Sequence, residues 1–370
     1  MRVGIITYHS AYNFGSVLQA LATQKSVERL GYQAEIINYR MRSQRDFYSF
    51  YRKKYGIKTL AKDILLTPHN RERHIRNERF EKVIHSMNLT DEYVEPEDVA
   101  KCESRFDCFI SGSDQIWNKR SCELTPVGWE YMNPYLLEFT DKKKISYASS
   151  IASMKDDEID RIIPYIKEFD HISFREKISS EIVTSKLGRK IETVLDPTLL
   201  ISRDEWVNLL KLKDDERDNN YILFYSLAGY KDVEGYLLKL EKLAKNLNLI
   251  VYSITPFISY FSSIYIKHIY DVGPVEFLQY IVNARLIVTD SYHGTLFSIN
   301  FNKPFYSITD GSESHMRKNQ ILEELDLVAR IAMSPEDVKI EDYCINSKLH
   351  CHIKVLRQRS IEYLDNAISS

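Results

Sequence analysis

Short apolar runs that end in small or polar residues and feed directly into helix-period segments are the feature that most constrains this chain. Val3 to Thr7 is the first such run, followed by a loop holding Asn13 and Gly15. Val17, Leu18, Leu21, Val27 and Leu30 then recur at helical spacing, Gly31 is placed to end the helix, and Ala34 to Asn38 is the next run. Strand, helix and strand in that order predict a parallel α/β sheet, because parallel neighbours need a crossover and the helix supplies it. The pattern returns at Phe106–Ile110, Lys144–Ala148 and Ile172–Phe174, with a helix expected over 156–168. It returns again at Tyr221–Ser226, Leu249–Ile254, Leu286–Thr289 and Phe305–Ser307. Between these runs lie helical segments at 231–246, 274–283 (opened by Gly273-Pro274) and 294–301, and further helices are expected at 317–327 and 353–365.

A chain of 370 residues exceeds what one hydrophobic core usually organises. Asp196-Pro197 is a sharp stop, and Asp and Asn cluster shortly after it. The expected architecture is therefore α/β, with two Rossmann-like domains facing a cleft. Residues 1–200 form the first domain, with a helical insertion at 40–80, and 201–345 form the second. Residues 346–370 are expected as a helix packing back on the first.

Charge separates the whole from its parts. Lys+Arg totals 50 and Asp+Glu 52, a formal net charge of −2, which argues against a polycation that coats nucleic acid. Residues 40–80 alone carry twelve Lys or Arg against four Asp or Glu, so the rest of the chain is net acidic. Phe47, Tyr48, Phe50, Tyr51 and Tyr55 interleave with those charges. A solvated helical insertion explains this as well as a surface for an anionic sugar, a lipid-linked phosphate or an anionic bilayer. Five cysteines without CxxC spacing indicate neither a disulfide scaffold nor a structural zinc site. Neither His69-Arg73-His74 nor His350-Cys351-His352 makes a ligand set, so no metal is expected. No signal peptide and no run of 18 apolar residues is present, so a cytoplasmic protein is expected, with peripheral contact at the inner membrane face as an option.

Ligands of open α/β sheets bind beyond the carboxyl ends of the strands, so the polar residues there are the candidates. Asn13-Phe14-Gly15-Ser16 sits just before a helix, where N–H groups at the helix start could hold an anion, or where Asn13 and Ser16 merely cap it. It is not a GxGxxG fingerprint, and neither GxxxxGK[ST] nor a GxSxG elbow occurs. Ser111-Gly112-Ser113-Asp114-Gln115-Ile116-Trp117-Asn118 offers a carboxylate to orient or deprotonate a sugar hydroxyl and an indole to stack on a sugar ring. A capping Asp114 and a core Trp117 are the plainer reading. Thr289-Asp290-Ser291-Tyr292-His293-Gly294-Thr295 places an imidazole where a strand feeds a helix, suited to proton transfer near neutral pH or, when protonated, to an anion. Arg317, further on, offers a bidentate fork for the same kind of anion.

These stretches, taken in order, resemble the polysaccharide pyruvyl transferase family. The resemblance rests on Tyr12 to Gln19, Ser111 to Asn118, Ser173-Phe174-Arg175-Glu176, Asp196 to Leu200, Gly273-Pro274 with Glu276, Thr289 to Gly294, Phe297-Ser298 and Lys303-Pro304-Phe305. It implies a GT-B-like fold, phosphoenolpyruvate as donor substrate with no resident cofactor, and a saccharide or lipid-linked saccharide as acceptor. His293 matches the family's histidine and is implied as general acid or phosphate partner. Asp114 is implied as base or acceptor-orienting group. Arg317, Arg175, Ser291 and Gly294 are expected on the donor side, and Asn13, Gly15, Ser16, Trp117 and Asn118 on the acceptor side. Members often carry an acidic residue after the N-terminal Asn-x-Gly, where this chain has Ser16. A nucleotide-sugar glycosyltransferase of the same fold and a non-catalytic carbohydrate-binding or assembly protein are the competing expectations.

Overall fold

The computed structural model describes residues 1–151, 154–214, 220–227, 230–255, 261, 263–311, 313–339 and 347–370, without the side chains of 230–232, 313–317 and 347–348. Thirteen strands lie in two sheets among the described residues. The first sheet holds β1 (Arg2–Ile6), β2 (Gln33–Tyr39), β3 (Leu89–Tyr93), β4 (Cys108–Ser111), β5 (Lys143–Ser149), β6 (His171–Phe174) and β7 (Glu192–Thr193). Their order is β3-β2-β1-β4-β5-β6-β7, and every pairing is parallel. The second sheet holds β8 (Tyr221–Tyr225), β9 (Ile250–Ile254), β10 (Ile266–His268), β11 (Leu286–Thr289), β12 (Phe305–Ile308) and β13 (Ile331–Ala332). Its order, β10-β9-β8-β11-β12-β13, is again all parallel. In each sheet the chain first moves outward to one edge and then restarts beside its first strand. The reversal falls between β1 and β4 in one sheet and between β8 and β11 in the other, and a crevice forms at such a switch point.

The sheets belong to two compact units. One comprises Met1–Leu60, Glu81–Leu200 and Lys354–Ser370; the other comprises Ala61–Phe80 and Ile201–Ile353. The central strands are buried on both faces, which explains why they read as unbroken apolar runs: β4 and β8 are buried at every residue. The sequence leaves β3, β10 and β13 unmarked, since LTDEY, IKH and IA are short and polar or lie at an edge.

Local chemistry sets the ends of the helices. Asn13 caps the helix Phe14–Arg29, its side chain accepting from the N–H groups of Gly15 and Ser16. Gly31 follows that helix at φ 90°, a left-handed position that glycine occupies without strain. From Lys354 onward the final helix, Ser347–Ser369, belongs to the first unit. Ser360 Oγ accepts from the Leu195 N–H at 2.9 Å, Lys143 Nζ donates to the Ile368 carbonyl at 3.1 Å, and Leu364, Ala367 and Ile368 are buried. Truncating a fully buried leucine removes its transfer energy and leaves a cavity. Leu364→Ala is therefore expected to destabilise the protein by roughly 2–5 kcal/mol, read as a lowered urea midpoint.

Candidate active site

At the first switch point, the loop after β4 carries Asp114 at φ 79°. Asp114 Oδ2 accepts from Ser16 Oγ at 2.7 Å, which joins this loop to the helix following β1. Gln19, one turn further along that helix, donates through Nε2 to Thr7 Oγ1 at 2.7 Å and accepts from the Ser113 N–H at 3.3 Å. The ends of β1 and β4 are thus fastened together by side chains that are all buried. Gly112, at φ 125°, lies so close to β5 that a Cβ would stand 2.2 Å from the Tyr147 carbonyl oxygen.

Arg175, just beyond β6, is the charge centre of this end of the sheet. Its Nη1 donates to Asp196 Oδ2 at 2.7 Å, its Nε to Glu176 Oε1 at 3.2 Å and its Nη2 to Asp114 Oδ1 at 3.3 Å. The guanidinium side chain is 1% exposed. This corrects the expectation that Arg175 clamps a donor anion: its planar fork already holds three carboxylates.

Two acceptor-side expectations are also corrected. Trp117 is fully buried, edge-on to Phe169 and Phe174, and its indole N–H donates to the Tyr135 carbonyl at 2.9 Å. The ring is core and offers no face to a sugar. Asn118 closes its own loop, donating to Gln115 Oε1 at 2.8 Å and accepting from the Arg120 N–H at 3.0 Å. At Asn13, Gly15 and Ser16 the capping carboxamide takes two of the first-turn N–H groups, so these are not open to an anion.

A further carboxyl escaped the sequence reading. Glu123 is buried, accepts from the Tyr48 hydroxyl at 3.2 Å, and has its pKa pushed up to about 7 by burial, with the charge of Asp114 adding to the effect. Its own backbone N–H and the side chains of Tyr48 and Cys122 pull the other way. Tyr8, whose hydroxyl is 2.9 Å from Ser121 Oγ, faces both carboxylates. One carboxylate engaged by an arginine and a hydroxyl, beside another titrating near neutrality, is the kind of divided environment that assigns acid and base roles. No motif marks Glu123; only the fold brings the 119–125 loop beside Asp114.

In the second unit, the polar residues gather where β8, β11 and β12 end. The Asp290 carboxylate accepts from Ser226 Oγ and, at 2.8 Å, from the Leu227 N–H. Ser291 caps the helix Tyr292–Asn300, accepting from the Gly294 N–H at 3.2 Å. His293, in the first turn, is 9% exposed. Gly294 is required by close packing, since a Cβ there would meet Thr289 Oγ1 at 2.6 Å. Lys318, also missed in the sequence, is buried and donates to the carbonyls of Asp290, at 2.7 Å, and Ile308. It places a cation at the mouth of β11 and β12, beside the positive end of the His293 helix. Arg317 falls in the helix Glu313–Glu324, and its side chain lies outside the described residues.

The polysaccharide pyruvyl transferase family model matches residues 13–312, a span that runs from the cap of the helix after β1 to just beyond β12. The chain belongs to that family. Comparison with curated proteins returned no match. Among solved structures, the chain is similar to S. aureus MnaA in its UDP co-structure, with a TM-score of 0.54 at 11% identity over 98% of this chain and 90% of that one. It is likewise similar to the UDP-GlcNAc 2-epimerase of Methanocaldococcus jannaschii in complex with UDP-GlcNAc and UDP, with a TM-score of 0.51 at 11% identity over 97% of this chain and all of that one. Likeness at such identities establishes a GT-B-like fold for this family member.

Two outcomes follow from the first switch point. Arg175→Met leaves buried carboxylates uncompensated and is expected to cost roughly 3–5 kcal/mol in chemical denaturation, with Arg175→Lys recovering only part of it. Glu123, with a folded-state pKa above its unfolded one, binds its proton more tightly when folded. Stability is therefore lost as pH rises from about 4.5 through about 7, by about 3 kcal/mol in all. Glu123→Gln should abolish that slope in unfolding measured between pH 5 and 8, and should match the wild type below it.

Proposed function

We propose that this chain is a ketal pyruvyltransferase that moves the pyruvyl group of phosphoenolpyruvate onto a pair of saccharide hydroxyls during surface polysaccharide assembly. The observation that supports this most is His293 in the first turn after β11, at a switch point inside the family-matched span and beside the buried cation of Lys318. The acceptor in this reading is a saccharide or its lipid-linked precursor, and the reaction takes place in the cytoplasm. No redox change occurs and the donor supplies the transferred group, so the chemistry calls for no resident cofactor.

Transfer begins with protonation of the donor's methylene carbon, which turns the enol carbon into an oxocarbenium-like centre. One acceptor hydroxyl adds there and gives up its proton. Phosphate then leaves with its bonding electron pair, and the second hydroxyl closes the ketal and releases the second proton. His293 is the general acid or the phosphate partner. Lys318, Arg317 and the positive end of the His293 helix, with Ser291 and Gly294 shaping its first turn, stabilise charge on the departing phosphate and the carboxylate. Asn13, Gly15 and Ser16 form the acceptor side. Asp114, already engaged by Arg175 and Ser16, orients an acceptor hydroxyl, and Glu123, with a pKa near 7, is the better proton acceptor.

The test is to incubate pure protein with phosphoenolpyruvate and a panel of saccharides, and to follow phosphate release and the mass gain of a pyruvyl ketal. Competition by UDP- or GDP-sugars in place of phosphoenolpyruvate would move the assignment to a glycosyltransferase, and saccharide binding with no donor binding would move it to a binding protein. His293→Ala is expected to lower kcat by roughly 10²–10⁴-fold while the unfolding midpoint stays close to wild type. Retained activity would remove the imidazole from the reaction.

A further inference from the structure

The helix Ile57–Leu65 is built inside out. A helix on a protein surface normally turns its apolar stripe inward and its charges outward. Here Asp63 is fully buried, whereas Ile57 is 87% exposed and Ile64 and Leu65 are each 55% exposed. With Ala61, also exposed, these residues fall at i, i+4, i+7 and i+8 and form one outward stripe. Lys58 and Lys62 stand beside the stripe one turn apart, both exposed, and Tyr51 lies exposed just upstream.

The surrounding charges sharpen the picture. Much of the excess of Lys and Arg over residues 40–80 is neutralised within the fold: Arg40 pairs with Glu81, Arg42 with Glu95, Arg45 with Glu92, Lys54 with Asp46, and Arg79 with Asp271 and Glu276. Among the described residues none forms an ion pair with Lys53, Lys58 or Lys62. Lys58 and Lys62 thus lie beside the exposed apolar stripe without a described counter-charge. Apolar side chains pointing out between lysines match the chemistry of a bilayer surface, where the stripe enters the acyl boundary and the ammonium groups meet anionic headgroups. A protein partner would have to supply both an apolar groove and a rim of acids. No described helix is long and apolar enough to cross a membrane, so the contact would be peripheral.

We propose that the helix Ile57–Leu65 docks this protein on anionic membrane surfaces, with Ile57, Ile64 and Leu65 entering the interface and Lys58 and Lys62 engaging the headgroups. Docking of this kind keeps a transferase where lipid-linked saccharides are found, but it does not depend on the reaction proposed above. The test is co-sedimentation of the full chain with vesicles of phosphatidylcholine containing about a third phosphatidylglycerol, against phosphatidylcholine alone. Binding is expected to the anionic vesicles only, and to weaken as salt rises. Ile57→Asp with Ile64→Asp, and separately Lys58→Glu with Lys62→Glu, should each lower binding roughly tenfold or more without moving the unfolding midpoint, because all four side chains are exposed. Turnover of a soluble acceptor should be unaffected by either pair, so failure of docking and failure of the catalytic reading are told apart. Equal binding to both vesicle types, binding unaffected by the substitutions, or a dimer in sedimentation velocity that Ile57→Asp with Ile64→Asp dissolves would overturn the proposal; the last would assign the stripe to a second copy.

Discussion

A guanidinium removed from water has to be surrounded by charge of the opposite sign, and much of the first unit's functional end follows from how Arg175 meets that demand. Its three partners come from separate places in the chain: Asp114 from the loop after β4, Glu176 from the residue beside it, and Asp196 from the segment after β7. Each carboxylate ties its own segment to the one guanidinium, so the loop ends are held in register by electrostatics as much as by packing. Asp114 passes the constraint on through Ser16 to the helix after β1. The result is a continuous polar path along the carboxyl edge of the sheet, from Asp196 through Arg175 and Asp114 to Ser16. A residue that reads as a ligand clamp in the sequence is instead the element that fixes the geometry of the ligand-facing loops.

The second unit solves the same problem with a different charge. Lys318 donates to main-chain carbonyls at the ends of β11 and β12, while the Asp290 side chain accepts from the residues that end β8. The lysine thus reaches main-chain carbonyls, where Arg175 reaches carboxylate side chains. An arginine locked among three carboxylates contributes little potential to a neighbouring anion.

Much of this was legible in the sequence, for a definite reason. The central strands are buried on both faces and carry apolar runs, and β11 begins and ends where its pattern indicates, at Leu286 and Thr289. Asn13, Ser291 and Gly31 act through backbone geometry within a few residues of themselves, and such local chemistry can be read from spacing. What could not be read is long-range. The burial of Trp117 depends on Phe169 and Phe174, some fifty residues on, and the partners of Arg175 and the elevated pKa of Glu123 depend on segments joined only by the fold. Lys318 was overlooked because nothing in the sequence around it marks its burial. The edge strands β3, β10 and β13 lack the two-sided burial that makes a strand visible.

Ser16 shows how one side chain adjusts such a site. The hydroxyl donates a hydrogen bond to the Asp114 carboxylate. An acid in place of Ser16 would set a second carboxylate against the first, and two such groups at hydrogen-bonding distance cannot both stay ionised without further cations. One would hold the proton, and the pair would become the titrating element of the loop. With serine there, the carboxyl with the raised pKa is Glu123, lifted by burial and, to a smaller degree, by Asp114. Where the hydroxyl and the guanidinium stand around Asp114 therefore shapes the surroundings of both carboxyls, and either would change character if its neighbour changed.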